Sequence, residues 1–318
     1  MGAAAKSLSH DQFYQLINSS RCCNAAGKEG AMKSGAFAFE RPASVQQALA
    51  TKARWGGGAR FLAGGQSLMP AMALRFNQSE CLIDLNGLEE LRQIRMEGDR
   101  LVIGAMARHA QVIASPLVAR AAPVLAQAGR YLAHAAIRNR GTFGGSVALA
   151  DPAAEWPAAC VLLDATVRIL GAQGRREVAA RNFFQGLYMT QLGEDELLES
   201  VAITPRPAQE RSCALELARR HGDFATAAVM ASAHVQGGKL QSLRAVFFAV
   251  ADTPLHDAAL DARLQDAFNA GPPRDVAAET AKDLANRGLR ADLYTQAATK
   301  AHLCGVLARR ALSQLAAA

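Results

Sequence analysis

Two small-residue segments are where this chain is able to do chemistry. Ala63-Gly64-Gly65-Gln66-Ser67 closes a short apolar run, and Thr142-Phe143-Gly144-Gly145-Ser146 answers it far downstream. Glycine pairs leave backbone N–H groups uncovered and let the main chain approach a diphosphate closely. Two such cradles imply a nucleotide gripped from both sides. The first lacks the lysine of a P-loop, and G-x-G-x-x-G is absent, so neither a Walker site nor a dinucleotide-type Rossmann turn is encoded. Read alone, Gly64-Gly65 is a tight turn between a strand and a helix.

The second cradle sits in a richer stretch, Ile137-Arg138-Asn139-Arg140-Gly141-Thr142-Phe143-Gly144-Gly145-Ser146, followed by Asp151-Pro152-Ala153-Ala154-Glu155. Thr142 and Ser146 add hydroxyls, and a helix opening at Pro152 would add the positive end of its dipole. Arg138 and Arg140 bring charge, or are simply solvated. An aspartate beside a pyrophosphate is repelled, so Asp151 reads as a helix cap. Glu155, one turn into that helix, is placed to accept hydrogen bonds from sugar-like hydroxyls; the plain alternative is a first-turn acid favoured by the dipole. His109, His134 and His221 qualify only by residue type.

The elements that must position these residues follow from caps, glycines and short apolar runs. Ser44 caps a helix from Val45 to Ala53 that Gly56-Gly57-Gly58 stops. Arg60 to Ala63 reads as a buried strand feeding the first cradle. Met69 to Leu74 is open between helix and irregular chain, and CLIDL (Cys81 to Leu85) is a strand ended by Asn86-Gly87. Hairpins are expected about Gly98-Asp99 and about Gly171 to Gly174. Ser115-Pro116 and Pro123 open helices, and Asp151-Pro152 repeats the signature for a helix from Pro152 to about Leu163. Thr204-Pro205-Arg206-Pro207 marks a boundary. Beyond it, Ala225 to His234 and Leu243 to Val250 pair across Gly237-Gly238-Lys239. Helices follow over Asp257 to Phe268, Val276 to Ala285 and Asp292 to about Leu315.

Composition sets the outer limits. The chain has 318 residues, 50% hydrophobic and 20% charged, with a net charge of +7, enough for more than one domain. Its basic residues are scattered among acids, which argues against nucleic acid and for a soluble face with affinity for an anion. The six cysteines make no C-x-x-C pair, so no zinc knuckle or ferredoxin loop is expected, and Cys160 reads as a small core residue. The pattern fits a reducing cytoplasm. No apolar run reaches the roughly 18 residues of a membrane span, and the N-terminus lacks a secretory signal. Residues 1–32 read as a loose extension, with Met32 a natural start for the compact part.

FLAGGQSLMPAM, CLIDLNGLEEL, IGAMARHAQVIASPLV and IRNRGTFGGSVALADPAAEWPA, in that order, resemble the FAD-binding medium subunit of the xanthine dehydrogenase and carbon monoxide dehydrogenase family, the molybdenum hydroxylases. The similarity runs from about Phe37 to Pro205 and continues more weakly through ARRHGDFATAAV. It implies an α+β fold: a two-lobed FAD-binding domain of the vanillyl-alcohol-oxidase (PCMH) type over 33–207, with lobes of about 33–90 and 91–207. A small C-terminal α/β domain of antiparallel sheet and helices, like that of the carbon monoxide dehydrogenase flavoprotein, would occupy 208–318.

The resemblance also implies positions. Ala63, Gly64, Gly65, Gln66, Ser67 and Leu68 would wrap the FAD pyrophosphate and adjoining ribose from one lobe, and Thr142, Gly144, Gly145 and Ser146 from the other. Asp151 joins that set, Glu155 would hold the ribityl chain, and Leu198 would lie near the isoalloxazine. No residue of the chain is expected to be catalytic in its own right, and no metal site is expected. The molybdenum cofactor would reside on a large subunit and [2Fe–2S] clusters on a small one, in a heterotrimer or a dimer of heterotrimers, with FAD passing electrons to an external acceptor. Departures from the family pattern are Leu149 where a polar residue is common, Phe143 where a smaller aliphatic is common, and ALELA (Ala214 to Ala218) where a lysine often approaches the cofactor. The branch with an extra iron–sulfur cluster is excluded, since its cysteine-rich insertion is missing. Alternatives are a self-sufficient FAD-dependent oxidase or dehydrogenase with its own small substrate, and an assembly subunit with a vestigial flavin site.

Overall fold

The computed structural model describes residues 34–271 and 274–317; the extension read over 1–32, with Cys22 and Cys23, lies outside the described residues. Lobe one opens with β1 (Ala38–Glu40) and helix α1 (Val45–Trp55). The Ser44 hydroxyl accepts the Gln47 N–H at 3.2 Å, and Gly56 ends the helix at φ 53°. The three glycines do not merely interrupt: they wind one 3₁₀ turn. Then come β2 (Ala59–Leu62), α2 (Leu68–Ala73) and β3 (Cys81–Asp84).

These strands form a three-stranded sheet in the order β1-β3-β2, parallel throughout. β3 takes the centre and is buried at every position, as CLID requires. The expected burial of β2 is corrected: it is an edge strand in which only Ala59 is buried and Arg60 is exposed. Ligands of parallel sheets settle in the crevice beyond the carboxyl ends of the strands. Here β2 ends into the first cradle and β3 ends into Asn86.

Lobe two is built on the hairpins β4 (Ile94–Glu97)–β5 (Arg100–Gly104) and β6 (Thr166–Gly171)–β7 (Gly174–Ala179), turned at Gly98 (φ 62°) and Gly174 (φ 103°). Strands β8 (Phe184–Gly186) and β9 (Met189–Thr190) pair separately. β10 (Leu197–Ile203) inserts between the hairpins, giving a five-stranded antiparallel sheet β4-β5-β10-β6-β7. Being central and buried on both faces, LLESVAI shows no alternation, and its sequence carries no strand signal.

Between the hairpins run short helices, among them Pro116–Ala121, where Ser115 caps and Pro116 occupies the first turn. Helix α3 (Phe143–Leu149) carries the second cradle, and α4 (Glu155–Leu162) follows. The expected start of α4 at Pro152 is corrected. Ala150 adopts a left-handed conformation and Asp151–Ala154 makes a tight turn, so the helix begins at Glu155. Every residue of α4 from Trp156 to Leu162 is buried, the pattern of a helix enclosed on all sides.

After the Thr204–Pro207 link the chain forms β11 (Glu210–Leu217), β12 (Ala227–Gln236), β13 (Lys239–Phe248) and β14 (Leu255–His256), paired antiparallel in sequence order. β12 and β13 turn at Gly237 and Gly238, φ 58° and 76°, a two-residue turn that favours glycine at both places. Helices α5 (Ala258–Ala270), α6 (Arg274–Ala285) and α7 (Ala297–Ala317) cover one face. The final helix starts at Ala297 rather than Asp292. The Asp292 carboxylate instead accepts the N–H groups of Tyr294 and Thr295, both at 2.8 Å, and pairs with the buried Lys300 at 2.9 Å.

Alternate residues of β12 and β13 point to different cores. Val229, Ala231, Ala245 and Phe247 face helices α5–α7, whereas Ala228, Met230, Val246 and Phe248 join the core of lobe two with Trp156 and Val161. One continuous apolar core therefore couples the C-terminal sheet to lobe two.

Candidate cofactor site

The first cradle leaves the carboxyl end of β2 and turns sharply at Gly65, whose φ of 71° suits glycine. The consecutive N–H groups of Gly64, Gly65, Gln66, Ser67 and Leu68 have no acceptor among the described residues. The carbonyls of Gly65 and Ser67, by contrast, are used: they accept from Met69 and Ala71 at 3.1 Å each. A row of donors with no protein partner, at a turn that exposes them, is an anion-binding concavity. The Ser67 hydroxyl makes no cap bond of its own.

The second cradle is different. Thr142 caps α3, its Oγ1 accepting the Gly145 N–H at 3.1 Å. The Phe143 and Gly144 N–H groups donate to Ala107 and Ala105 carbonyls at 2.8 and 2.9 Å, and Ser146 donates to the Thr142 carbonyl at 3.1 Å. The expectation that this glycine pair leaves its N–H groups uncovered is thus corrected. Only the Thr142 N–H lacks an acceptor among the described residues. Gly144 is required by packing, since a Cβ there would lie 2.4 Å from Ala105 Cβ. Phe143, fully buried, packs on Trp156 with ring centroids 5.5 Å apart.

The cradles meet directly. A Cβ on Gly64 would stand 2.6 Å from both the Arg140 carbonyl oxygen and Gly141 Cα, and one on Gly145 would stand 3.6 Å from Ala63 Cβ. Leu62, Ala63, Gly64, Gly65, Gln66 and Met69, with Asn86 and Arg140, line a cavity of about 550 Å³. Arg140 is exposed at this cavity and makes no ion pair among the described residues. Arg108, half-buried, has its guanidinium disfavoured first by burial and then by Arg92 and Arg140. Uncompensated positive charge beside free N–H groups favours a diphosphate.

A second, acidic part lies where α4 begins. Glu155 is the first residue of that helix, not one turn inside it. Beyond its own N–H, no donor reaches its carboxyl among the described residues; burial, then Glu216 on β11, push its pKa up to about 8. Glu216 itself is raised to about 7 by burial, and its Oε2 is buried without a partner. Asp151 does not cap a helix. Its Oδ1 accepts the Ala153 N–H at 2.9 Å and its Oδ2 the Tyr188 hydroxyl at 3.2 Å; buried, it is raised to about 6. Ser146 is half-buried on α3 and Leu198 is 3% exposed in the β10 core, beside a register shift.

His109 is structural in its surroundings. Its Nδ1 accepts the Trp156 indole N–H at 2.9 Å, its N–H donates to the Gly141 carbonyl, and burial lowers its pKa to about 4. It stays a neutral ring beneath the second cradle.

The residues matched by known families agree with this geometry. Residues 35–207 match the FAD binding domain in molybdopterin dehydrogenase, and residues 214–315 match the CO dehydrogenase flavoprotein C-terminal domain. The chain belongs to the molybdopterin dehydrogenase FAD-binding family. It is similar to the carbon monoxide dehydrogenase medium chain of Hydrogenophaga pseudoflava, 37% identical over 278 residues, 87% of this chain and 96% of that one. It is likewise 38% identical over 216 residues to the nicotine 6-hydroxylase medium subunit of Paenarthrobacter nicotinovorans, 67% of this chain and 74% of the relative. Among solved structures, carbon monoxide dehydrogenase from H. pseudoflava superposes with a TM-score of 0.84 at 37% identity, covering 89% of this chain and 98% of that one. Quinoline 2-oxidoreductase from Pseudomonas putida 86 gives 0.82 at 34% identity, with 89% and 98% covered. As a member of this family the chain is an FAD-binding oxidoreductase subunit that acts in electron transfer.

The residues present fit FAD. Open N–H groups and Arg140 suit its diphosphate, and the donor-poor carboxyl of Glu155 suits a polyol hydroxyl. The sequence reading missed Asn86, Arg108 and Glu216. Asn86 looked like a strand stop and Arg108 like one more dispersed charge; only ALELA hinted that Glu216 stands where family members differ.

Proposed function

We propose that this chain is the FAD-bearing medium subunit of a three-part molybdenum hydroxylase. Its partners are a large molybdopterin-binding subunit and a small [2Fe–2S] subunit, assembled as a heterotrimer or a dimer of heterotrimers in the cytoplasm. Bound FAD supplies the ability to take electrons from a one-electron donor and deliver them as a pair to an external acceptor. The chain's own residues bind and orient. The N–H groups of Gly64 to Leu68 and the Arg140 guanidinium hold the diphosphate, with Thr142, Gly145 and Ser146 closing over it. Glu155 accepts from the ribityl hydroxyls, and Leu198 backs the apolar ring from the sheet. Asp151 orders the turn before α4 rather than touching the ligand. We place the FAD-binding unit over 33–207 and the C-terminal unit over 208–318.

The observation that carries this reading is the unbroken row of free N–H groups opening on the cavity that Arg140 of the other cradle also lines. The test is to purify the full chain, release its flavin and identify it. One equivalent of FAD is expected, and absence of flavin after reconstitution with micromolar FAD would falsify the reading. Co-expression with the neighbouring reading frames, followed by molybdenum and iron analysis of the tagged complex, separates the subunit from a self-sufficient oxidase. Among the described residues no group of three or more His, Cys, Asp or Glu is placed to hold a metal, and no helix is long and apolar enough to cross a membrane.

A further inference from the structure

Asn86 stands just past the carboxyl end of β3, touches the first cradle and reaches the second through Arg108. Its Nδ2 donates to the Ala63 carbonyl at 3.0 Å, the last carbonyl before the row of free N–H groups. The same Nδ2 donates to Asp84 Oδ1 at 2.6 Å, and the buried Asp84 is held in turn by the Arg41 guanidinium at 2.9 Å. The Asn86 Oδ1 accepts Nη2 of Arg108 at 2.5 Å, and the Asn86 carbonyl accepts from Arg92. Arg108 belongs to lobe two, so its bond to Asn86 crosses the lobe boundary, and its Nη1 donates to the Arg140 carbonyl, the oxygen that Gly64 approaches too closely to bear a side chain. Backbone continues the tie, for Arg108 bridges Thr142 and its neighbour His109 donates to Gly141.

A single chain of hydrogen bonds thus runs from Ala63 through Asn86 and Arg108 to Arg140. We propose that Asn86 and Arg108 form a latch that locks the first cradle to the second, so that the diphosphate meets one preassembled surface instead of two independent loops. Both are positioning residues. The proposal rests on the reading that this cavity takes the diphosphate of FAD.

Preorganisation acts by removing the ordering cost at binding. An open latch therefore weakens binding chiefly by faster release, since most affinity changes between related complexes lie in the off-rate. A latch also makes its two members interdependent: once one is gone, losing the other adds little. An arginine acting only as a charge behaves differently, because lysine replaces it. Lysine cannot span the Asn86 amide and the Arg140 carbonyl at once, whereas the guanidinium fork can.

The test uses the full chain, stripped of flavin and titrated with FAD, with release followed by stopped-flow. Asn86→Leu and Arg108→Gln are each expected to weaken FAD binding about tenfold, mostly through the off-rate, and the double variant to stay within about threefold of the weaker single. Arg108→Lys is expected to bind as poorly as Arg108→Gln. Wild-type affinity in Arg108→Lys, or multiplicative losses in the double variant, would overturn the latch while leaving the FAD reading intact; failure of the unaltered chain to bind FAD would overturn the reading itself. Should Arg108→Gln not fold, Asn86→Leu and Arg108→Lys decide alone: both weak supports the latch, and either at wild-type affinity refutes it.

Discussion

The two glycine pairs look alike in sequence and are built for different work. At Gly64-Gly65 the backbone lines the cavity, and its donors have no acceptor among the described residues. At Gly144-Gly145 the donors are already spent on Ala105 and on the Thr142 hydroxyl, and the glycines admit β5's continuation and the cap instead. The first is an open nest and the second a rigid wall against which it is held. A Gly-Gly motif therefore states that something approaches the backbone closely; it does not state whether that is a ligand or the protein itself.

The contrast breaks most sharply at the glycines. Gly64→Ala drives a methyl into the Arg140 carbonyl and forces the cradles apart, so beyond a stability cost of about 1–3 kcal/mol, FAD affinity should fall by about a hundredfold, read by titration of the stripped protein. Gly144→Ala should cost stability and largely spare the ligand. Overpacking against Ala105 costs about 1–3 kcal/mol in the flavin-free protein, visible as a lower Tm, before any effect on the ligand. If both variants lose flavin and stability in parallel, the distinction between nest and wall is wrong.

The acidic pocket gives a pH test. Glu155 is raised to about 8, Glu216 to about 7 and Asp151 to about 6, each mainly by burial. The unfolded chain sheds these protons near pH 4 to 4.5, whereas the folded chain keeps them. The unfolded state binds fewer protons across that window, so this contribution to stability is full below about pH 4 and drains away towards pH 8. Chemical denaturation of flavin-free protein should show a decline of about 1–3 kcal/mol between pH 5 and 8, and Glu155→Gln should flatten it. A smaller effect separates cap from ligand contact: Thr142→Val should cost about 1 kcal/mol of stability and less than threefold in FAD affinity, by denaturation and titration respectively.

Legibility followed the range of the forces involved. Caps and hairpins are local, so Ser44, Ser115, Gly98 and Gly237-Gly238 announced their elements correctly. Helix starts failed where a side chain preferred a turn: Asp151 bonds Ala153 and Asp292 bonds Tyr294, each delaying a helix that its aspartate seemed to open. β10 went unread because a strand enclosed by neighbours needs no alternating pattern, and enclosure is a property of the whole sheet; β11, an edge strand of mostly half-buried residues, went unread because its burial does not alternate either. At the site both glycine segments were marked by residue type, but which N–H groups remain free depends on the Ala105 and Ala107 carbonyls just beyond β5, which meet Gly144 and Phe143 only in the fold.

By itself the amino-acid order determined the turns, the caps, the paired glycines and the likeness of its ordered motifs to a flavin-binding family. It did so because backbone freedom and neighbouring hydrogen bonds act over a few residues. Only the tertiary structure decided that Gly64 abuts Arg140, that Asn86 meets Arg108, and that Glu155 faces Glu216. Those encounters join residues far apart along the chain, and burial, charge and donor accounting take their values only once the sheets have closed around them.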